Sequence, residues 1–127
     1  MRYQRGRAAI PSSLATPLVG SFEAAGAAVQ GLSRTLAGEF GPQGIRVIGL
    51  QPDTIQESEA LLETLGLHAK AAGLTREEVQ TSIERRTLLR RLPTLAEVAN
   101  VASFMASDRA SAMTGTVVNL TCGAIGD

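Results

Sequence analysis

Few side chains in this sequence could do chemistry, and they are scattered. They are one histidine (His68), one cysteine (Cys122), an acid at Glu23, arginines at 85, 86, 90 and 91, and the turn Pro52-Asp53-Thr54-Ile55. A metal site needs several nitrogen, sulfur or oxygen ligands converging, and His68 has no second histidine or cysteine–carboxylate cluster at ligand spacing. It reads as a solvated helix position, and no metal is expected. A nucleophilic cysteine needs a neighbouring base, and Cys122 has none in its local sequence, so it reads as a small packed residue. Glu23 could act as an acid, but carboxylates are favoured in a first helical turn by the helix dipole alone. The arginine run could meet phosphate. Leu88, Leu89 and Leu92 interleave with it and no aromatic offers a stacking face, so it reads as an amphipathic turn. Pro52 to Ile55 reads as a strand-ending turn.

The elements that would position these residues follow from periodicity and punctuation. Val29, Leu32, Leu36 and Phe40 recur at helical spacing within an alanine-rich stretch, predicting a helix over 22–40 that Gly41-Pro42 stops. Gly26 and Gly31 each weaken that helix by up to about 1 kcal/mol relative to alanine. Ile45 to Leu50, β-branched and largely apolar, predicts a strand covered on both faces, which Pro52-Asp53 ends. One or two short helices are expected over 58–72. Thr75 with Glu78 and Thr94 with Glu97 form capping-box patterns, predicting helices from 76 to about 86 and from 95 to about 107. Leu95, Val98, Ala102 and Met105 mark the buried stripe of the second of these. Thr116 to Thr121 predicts a last strand, and residues 8–13 a first one, weakened by Pro11. Strand–helix alternation of this kind predicts an α/β fold, a partial Rossmann-like arrangement of about three parallel strands with helices on both faces, in a single domain over 1–127.

Composition narrows the function classes. Twelve basic residues balance twelve acidic ones, so no broad field attracts nucleic acid or an anionic membrane. No apolar stretch reaches membrane-spanning length, and the N-terminal arginines are followed by nothing like a signal peptide. A single cysteine forms no internal disulfide, which makes a cytoplasmic location the expectation. Aromatics are only 3% of the chain, so Ala, Val, Leu and Ile must build the core.

Longer runs carry a family likeness. Ala27 to Val47 (AAVQGLSRTLAGEFGPQGIRV), Leu88 to Ala99 (LLRRLPTLAEVA), Ser107 to Ser111 and Met113-Thr-Gly115 resemble, in order and spacing, the C-terminal half of the short-chain dehydrogenase/reductase family. The likeness extends from about residue 12 to the end, and Arg5 to Ile10 resembles the entry to the strand before the active site. It implies NAD(P), a cofactor-contacting turn at Pro52, Asp53, Thr54 and Ile55, and a substrate-covering region at 56–93. It also implies a subunit interface on the helix at 22–40.

The departures bear on chemistry. The family opens that long helix with Tyr-x-x-x-Lys, and the matching residues here are Phe22-Glu-Ala-Ala-Gly26. The tyrosine hydroxyl exchanges a proton with the substrate oxygen, and a free phenol with a pKa near 10 needs the lysine cation to lower it. Phenylalanine has no such proton and glycine no charge, so no catalytic residue is assigned. Ser12 or Ser13 matches the family's substrate-binding serine. Asp53 stands where the family's Pro-Gly turn has glycine, and no glycine-rich turn follows a strand to cradle a pyrophosphate.

Three readings follow: a catalytically inactive family member, an oxidoreductase portion acting only with a Rossmann half supplied to it, or an oligomeric interaction module. A homo-oligomer is expected, through the helix at 22–40 or through the free edge of the strand at 8–13.

Overall fold

A computed structural model of the chain describes residues 22–124. The strand expected at 8–13, with Ser12 and Ser13, and the loop at 14–21 lie outside the described residues. Helix α1 (Phe22–Phe40) runs as expected and gives way to a 3-10 turn at Gly41–Gln43. Gly44 closes that turn at φ 79°, in the left-handed region open to glycine at little cost. Strand β1 (Ile48–Gln51) follows, then α2 (Glu59–Ala72), α3 (Arg76–Glu84), α4 (Leu95–Ala106), a 3-10 turn at Asp108–Ala110 and strand β2 (Thr116–Asn119).

The two strands are parallel and adjacent, pairing Ile48 with Thr116 through Gln51 with Asn119. Of the expected three-strand sheet, two strands stand among the described residues. Both are shorter than the residue types suggested, because a ladder needs a partner as well as a propensity. Ahead of β1, the Val47 N–H turns to the Thr114 hydroxyl at 3.1 Å. Beyond β2, Asn119 Oδ1 draws in the Thr121 N–H at 3.0 Å, which ends the strand.

Helix α1 lies against both strands, but not through the stripe its spacing picked out. Val29 and Leu32 are 63% and 57% exposed. The inward position is Ala37, 8% exposed, because the helix comes close to a backbone position without a side chain. A Cβ at Gly115 would lie 3.6 Å from the Ala37 methyl. Further along the helix, Gln30 Nε2 donates to Gln51 Oε1 at 3.2 Å.

The apolar centre sits away from the sheet. Leu61, Leu65 and Leu92 form a buried cluster on which Val79 and Ile83 pack, joining α2, α3 and the segment entering α4. Burying a leucine contributes roughly 1.5–3 kcal/mol, so this helical hairpin carries much of the hydrophobic stabilisation. Both capping boxes form. Thr75 accepts from the Glu78 N–H and Thr94 from the Glu97 N–H, and each glutamate reaches back to its cap. Helix α3 ends at Glu84, two residues early, where the segment bends so that Thr87 can be buried.

Arg46 joins the layers. Its guanidinium donates to the Ala110 carbonyl at 2.9 Å and the Ser107 carbonyl at 3.1 Å, tying the chain entering β1 to the turn after α4.

Candidate functional site

In an open parallel sheet the ligand crevice lies outside the carboxyl ends of the strands. Here those ends are Gln51 and Asn119, and three segments surround them. The first is Pro52 to Ile55, all half-buried, which leaves β1 directly. Its conformation is fixed from below: the Ser58 N–H donates to Ile55 O at 3.1 Å and the Gln56 N–H to Pro93 O at 3.0 Å. The Glu57 carboxylate accepts from the Leu95 N–H at 2.9 Å. Backbone bonds and one carboxylate thus pin the turn to the start of α4.

The second segment is the turn after β2. The Leu120 N–H donates to Gln51 O at 2.9 Å, and Thr121, 1% exposed, bonds Asn119 Oδ1 through its hydroxyl at 2.7 Å. Cys122 follows at φ 54° and Gly123 at φ 81°. The third is the loop Leu88 to Arg90. The Leu89 N–H donates to Cys122 O at 3.1 Å, and a Cβ on Gly123 would come within 2.7 Å of Leu88. Gly123 is therefore required twice over, for its backbone angle and for the space beside Leu88.

Helix α1 reaches the same edge through Gln30. Gln30 bonds Gln51, and Gly26 lies one turn nearer the helix start. Among the described residues, a Cβ at Gly26 would meet nothing within 4 Å. Phe22 and Glu23 occupy the first turn. No side chain of Gly26 can supply a charge, and a phenylalanine has no titratable proton.

The other candidates fall apart as a group. Arg91 is bound by Glu97 in a two-pronged pair at 2.8 and 2.7 Å. That bond, with the Thr94 N–H, lowers the Glu97 pKa to about 2, and the Arg91 pKa is raised first by its hydrogen bond to Glu97. Arg85, Arg86 and Arg90 are exposed, and an Arg90 Nη1 N–H donates to the Arg85 carbonyl. The four arginines therefore do not converge on one anion. His68 is half-buried on α2, not the solvated position its sequence suggested, because it flanks the Leu65–Ala69 face. Among the described residues no three histidines, cysteines or acids are grouped as a metal requires. No helix there is long and apolar enough to cross a membrane.

A dinucleotide pyrophosphate needs free backbone N–H groups, usually at a helix N-terminus. The starts of α2, α3 and α4 are taken by Ser58, Thr75 and Thr94, and two of them also carry the carboxylates of Glu78 and Glu97. These ends do not fit a phosphate. The Pro52–Ile55 turn, the cofactor contact that the family likeness implies, leaves β1 at this edge among the described residues.

The sequence profile described as enoyl-(acyl carrier protein) reductase matches residues 7–124. An "uncharacterized short-chain type dehydrogenase/reductase" of Sinorhizobium fredii is 34% identical over 102 residues, 80% of this chain and 36% of its own. The NADH enoyl-[acyl-carrier-protein] reductase of Haemophilus influenzae is 31% identical over 98 residues, 76% of this chain and 33% of its own. Among solved structures, sorbitol-6-phosphate 2-dehydrogenase from Erwinia amylovora superposes with a TM-score of 0.82 at 28% identity, over 92% of this chain and 46% of that one. The chain thus spans about a third of the length of these curated relatives and just under half of the solved chain.

Proposed function

Because the chain belongs to the short-chain dehydrogenase/reductase family, we propose that it keeps the C-terminal half of that scaffold without independent catalysis. The observation that carries this reading is that α1 opens with Phe22-Glu-Ala-Ala-Gly26, where the family likeness implies a tyrosine and a lysine. General acid–base help contributes about a hundredfold to ten-thousandfold in rate, and both members of the pair are missing. The capped starts of α2, α3 and α4 add to the reading, since these ends do not fit the pyrophosphate of NAD(P). On this reading Pro52, Asp53, Thr54 and Ile55 border the place where a nicotinamide would lie in a complete domain, and they do not hold a dinucleotide by themselves. A cytoplasmic location goes with this reading.

The test has two arms on the purified 127-residue chain. Titrating NAD(H) and NADP(H) to millimolar levels should leave the melting temperature unchanged. Ketone reduction should be absent, and it should stay absent in the Phe22→Tyr/Gly26→Lys variant. Robust reduction by the parent chain, undiminished when Glu23, Ser12 and Ser13 are replaced, overturns the reading. Cofactor binding without turnover would favour the alternative that the chain is an oxidoreductase portion acting with a separate Rossmann half.

The exposed Val29 and Leu32 on α1 favour one further role, an oligomeric interaction module with that helix in the interface. Light scattering on the Val29→Glu/Leu32→Glu variant tests it. A parent oligomer that survives this change removes α1 from the interface.

A further inference from the structure

The apolar core and the sheet of this chain are built from separate stretches. Leu61, Leu65 and Leu92, with Val79 and Ile83 packed on them, all fall between Glu57 and Pro93. The same stretch supplies its own caps: Ser58 accepts from the Leu61 N–H, Gly73 ends α2 at φ 66°, and Thr75 opens α3. Thr87, 1% exposed, donates to Glu84 O at 2.9 Å and accepts from the Arg91 N–H at 3.0 Å. The two ends meet, since the Gln56 N–H donates to Pro93 O at 3.0 Å. Helices α2 and α3 pack chiefly on each other, whereas α1 packs on both strands. Residues 56–93 are thus a closed excursion with its own core, and the strands, α1 and the Arg46 clamp are assembled without it.

Three ties join this body to the carboxyl edge and to α4. The Glu57 carboxylate accepts from the Leu95 N–H at 2.9 Å, the Leu89 N–H donates to Cys122 O at 3.1 Å, and Leu88 lies against Gly123. The seam is thin. Leu88 and Leu89 are 81% and 61% exposed, so closing it buries little apolar surface and the hydrophobic effect does little to hold it shut. Of the three ties only Glu57 brings a charge, and it brings that charge to the first turn of α4, where the helix dipole favours a carboxylate.

We infer that residues 56–93 swing as one body at the carboxyl ends of β1 and β2, hinged where Gln56 meets Pro93, with the Glu57 carboxylate as the latch that holds the body closed. Opening parts Glu57 from Leu95, and Leu88 and Leu89 from the turn after β2, while the leucine core and the strand ladder stay whole. Glu57 is a positioning residue: it acts on the Leu89 contact only through the rigidity of the hairpin between them. The inference concerns this motion alone and stands apart from whether the chain transfers hydride.

Amide hydrogen exchange followed by NMR on the full chain tests this. In the parent, the Leu89 and Leu95 amides should share one opening constant, larger than those of the interior amides of α2 and α3 and of the ladder amides of β1 and β2. Glu57→Gln removes the charge and should speed exchange at Leu89 roughly tenfold, although Leu89 is bonded to Cys122 and not to Glu57. Amides inside α2, α3 and the strands should not change in that variant. Leu65→Ala should act on the other side of the hinge, speeding exchange inside α2 and α3 and leaving the β1–β2 ladder as it was. Unequal opening constants at Leu89 and Leu95 in the parent overturn the inference without any variant. So does a Leu89 amide indifferent to Glu57→Gln, exchange inside α2 and α3 that rises with it, or a ladder that loosens together with α2 in Leu65→Ala.

Discussion

Replacing Arg46 by methionine tests the account of how the strands are held. The change keeps the apolar stem and removes the guanidinium. Two bonds of good length are lost, to Ala110 O at 2.9 Å and Ser107 O at 3.1 Å, while the contact with Met113 O at 3.5 Å is too long to count for much. Hydrogen bonds from charged groups contribute about 1.5–3 kcal/mol each, but two features bring the total for the pair below the sum of two such bonds. The guanidinium is half-buried, so water recovers part of the loss. Neither carbonyl is orphaned, since Ala110 O keeps the Met113 N–H at 2.9 Å and Ser107 O keeps the Ala110 N–H at 3.2 Å. The expected cost is therefore about 2 kcal/mol for the pair. At roughly 4 °C per kcal/mol for a chain of this size, the thermal midpoint should fall by about 8 °C. Arg46→Lys keeps the charge but offers a single ammonium to carbonyls that two prongs now serve, and should recover roughly half. Calorimetry or a circular dichroism melt reads both. A midpoint for Arg46→Met within about 2 °C of the parent, or full recovery with lysine, would refute the two-pronged clamp.

Glu97→Gln should flatten the acid limb of stability. Its carboxyl is lowered from 4.5 to about 2, so it stabilises the fold above 4.5 and that contribution fades as pH falls toward 2, a loss the glutamine variant lacks in melts across this window. Gly123→Ala should destabilise by about 1–3 kcal/mol, since a Cβ meets Leu88 at 2.7 Å at a φ of 81°; denaturant midpoints check it, and pairing with Leu88→Ala should recover the steric part only. Leu65→Ala, at a position 1% exposed, should cost about 3 kcal/mol by denaturant melt, whereas Leu88→Ala, at 81% exposed, should cost under about 0.5.

The helices were legible because their ends are written in local chemistry. Thr75 with Glu78, Thr94 with Glu97 and Gly41-Pro42 satisfy or terminate backbone groups within a few residues, and their helix ends fall at or within two residues of the positions they mark. The strands were legible in place but not in length, since the N–H groups of Val47 and Thr121 turn to the side chains of Thr114 and Asn119. The inward face of α1 was not legible. Apolar spacing favoured Val29 and Leu32, but the close approach to Gly115 selects Ala37. Arg46 gave no local signal either, because its partners lie 61 and 64 residues away. Of the site, Pro52 to Ile55 could be placed from the strand before it. Its ties through Gln56 to Pro93 and Glu57 to Leu95 depend on where α4 begins in space.

Among the described residues, the contacts that hold the two strands and the turn after β1 do not involve Gly26. Gln30 with Gln51, Ala37 against Gly115, the Arg46 clamp, and the ties from Gln56 and Glu57 to the start of α4 all use other residues. Among the described residues a Cβ at Gly26 would meet nothing within 4 Å, so none of them needs or resists a side chain there. Scaffold and chemistry are physically separable in this half of the domain. A glycine at position 26 costs the fold only its helix propensity, about 1 kcal/mol relative to alanine. A high structural similarity to dehydrogenases is therefore what this chain should show whether or not it transfers hydride. The question of activity rests on Phe22, Gly26 and the capped helix starts, and not on the fold.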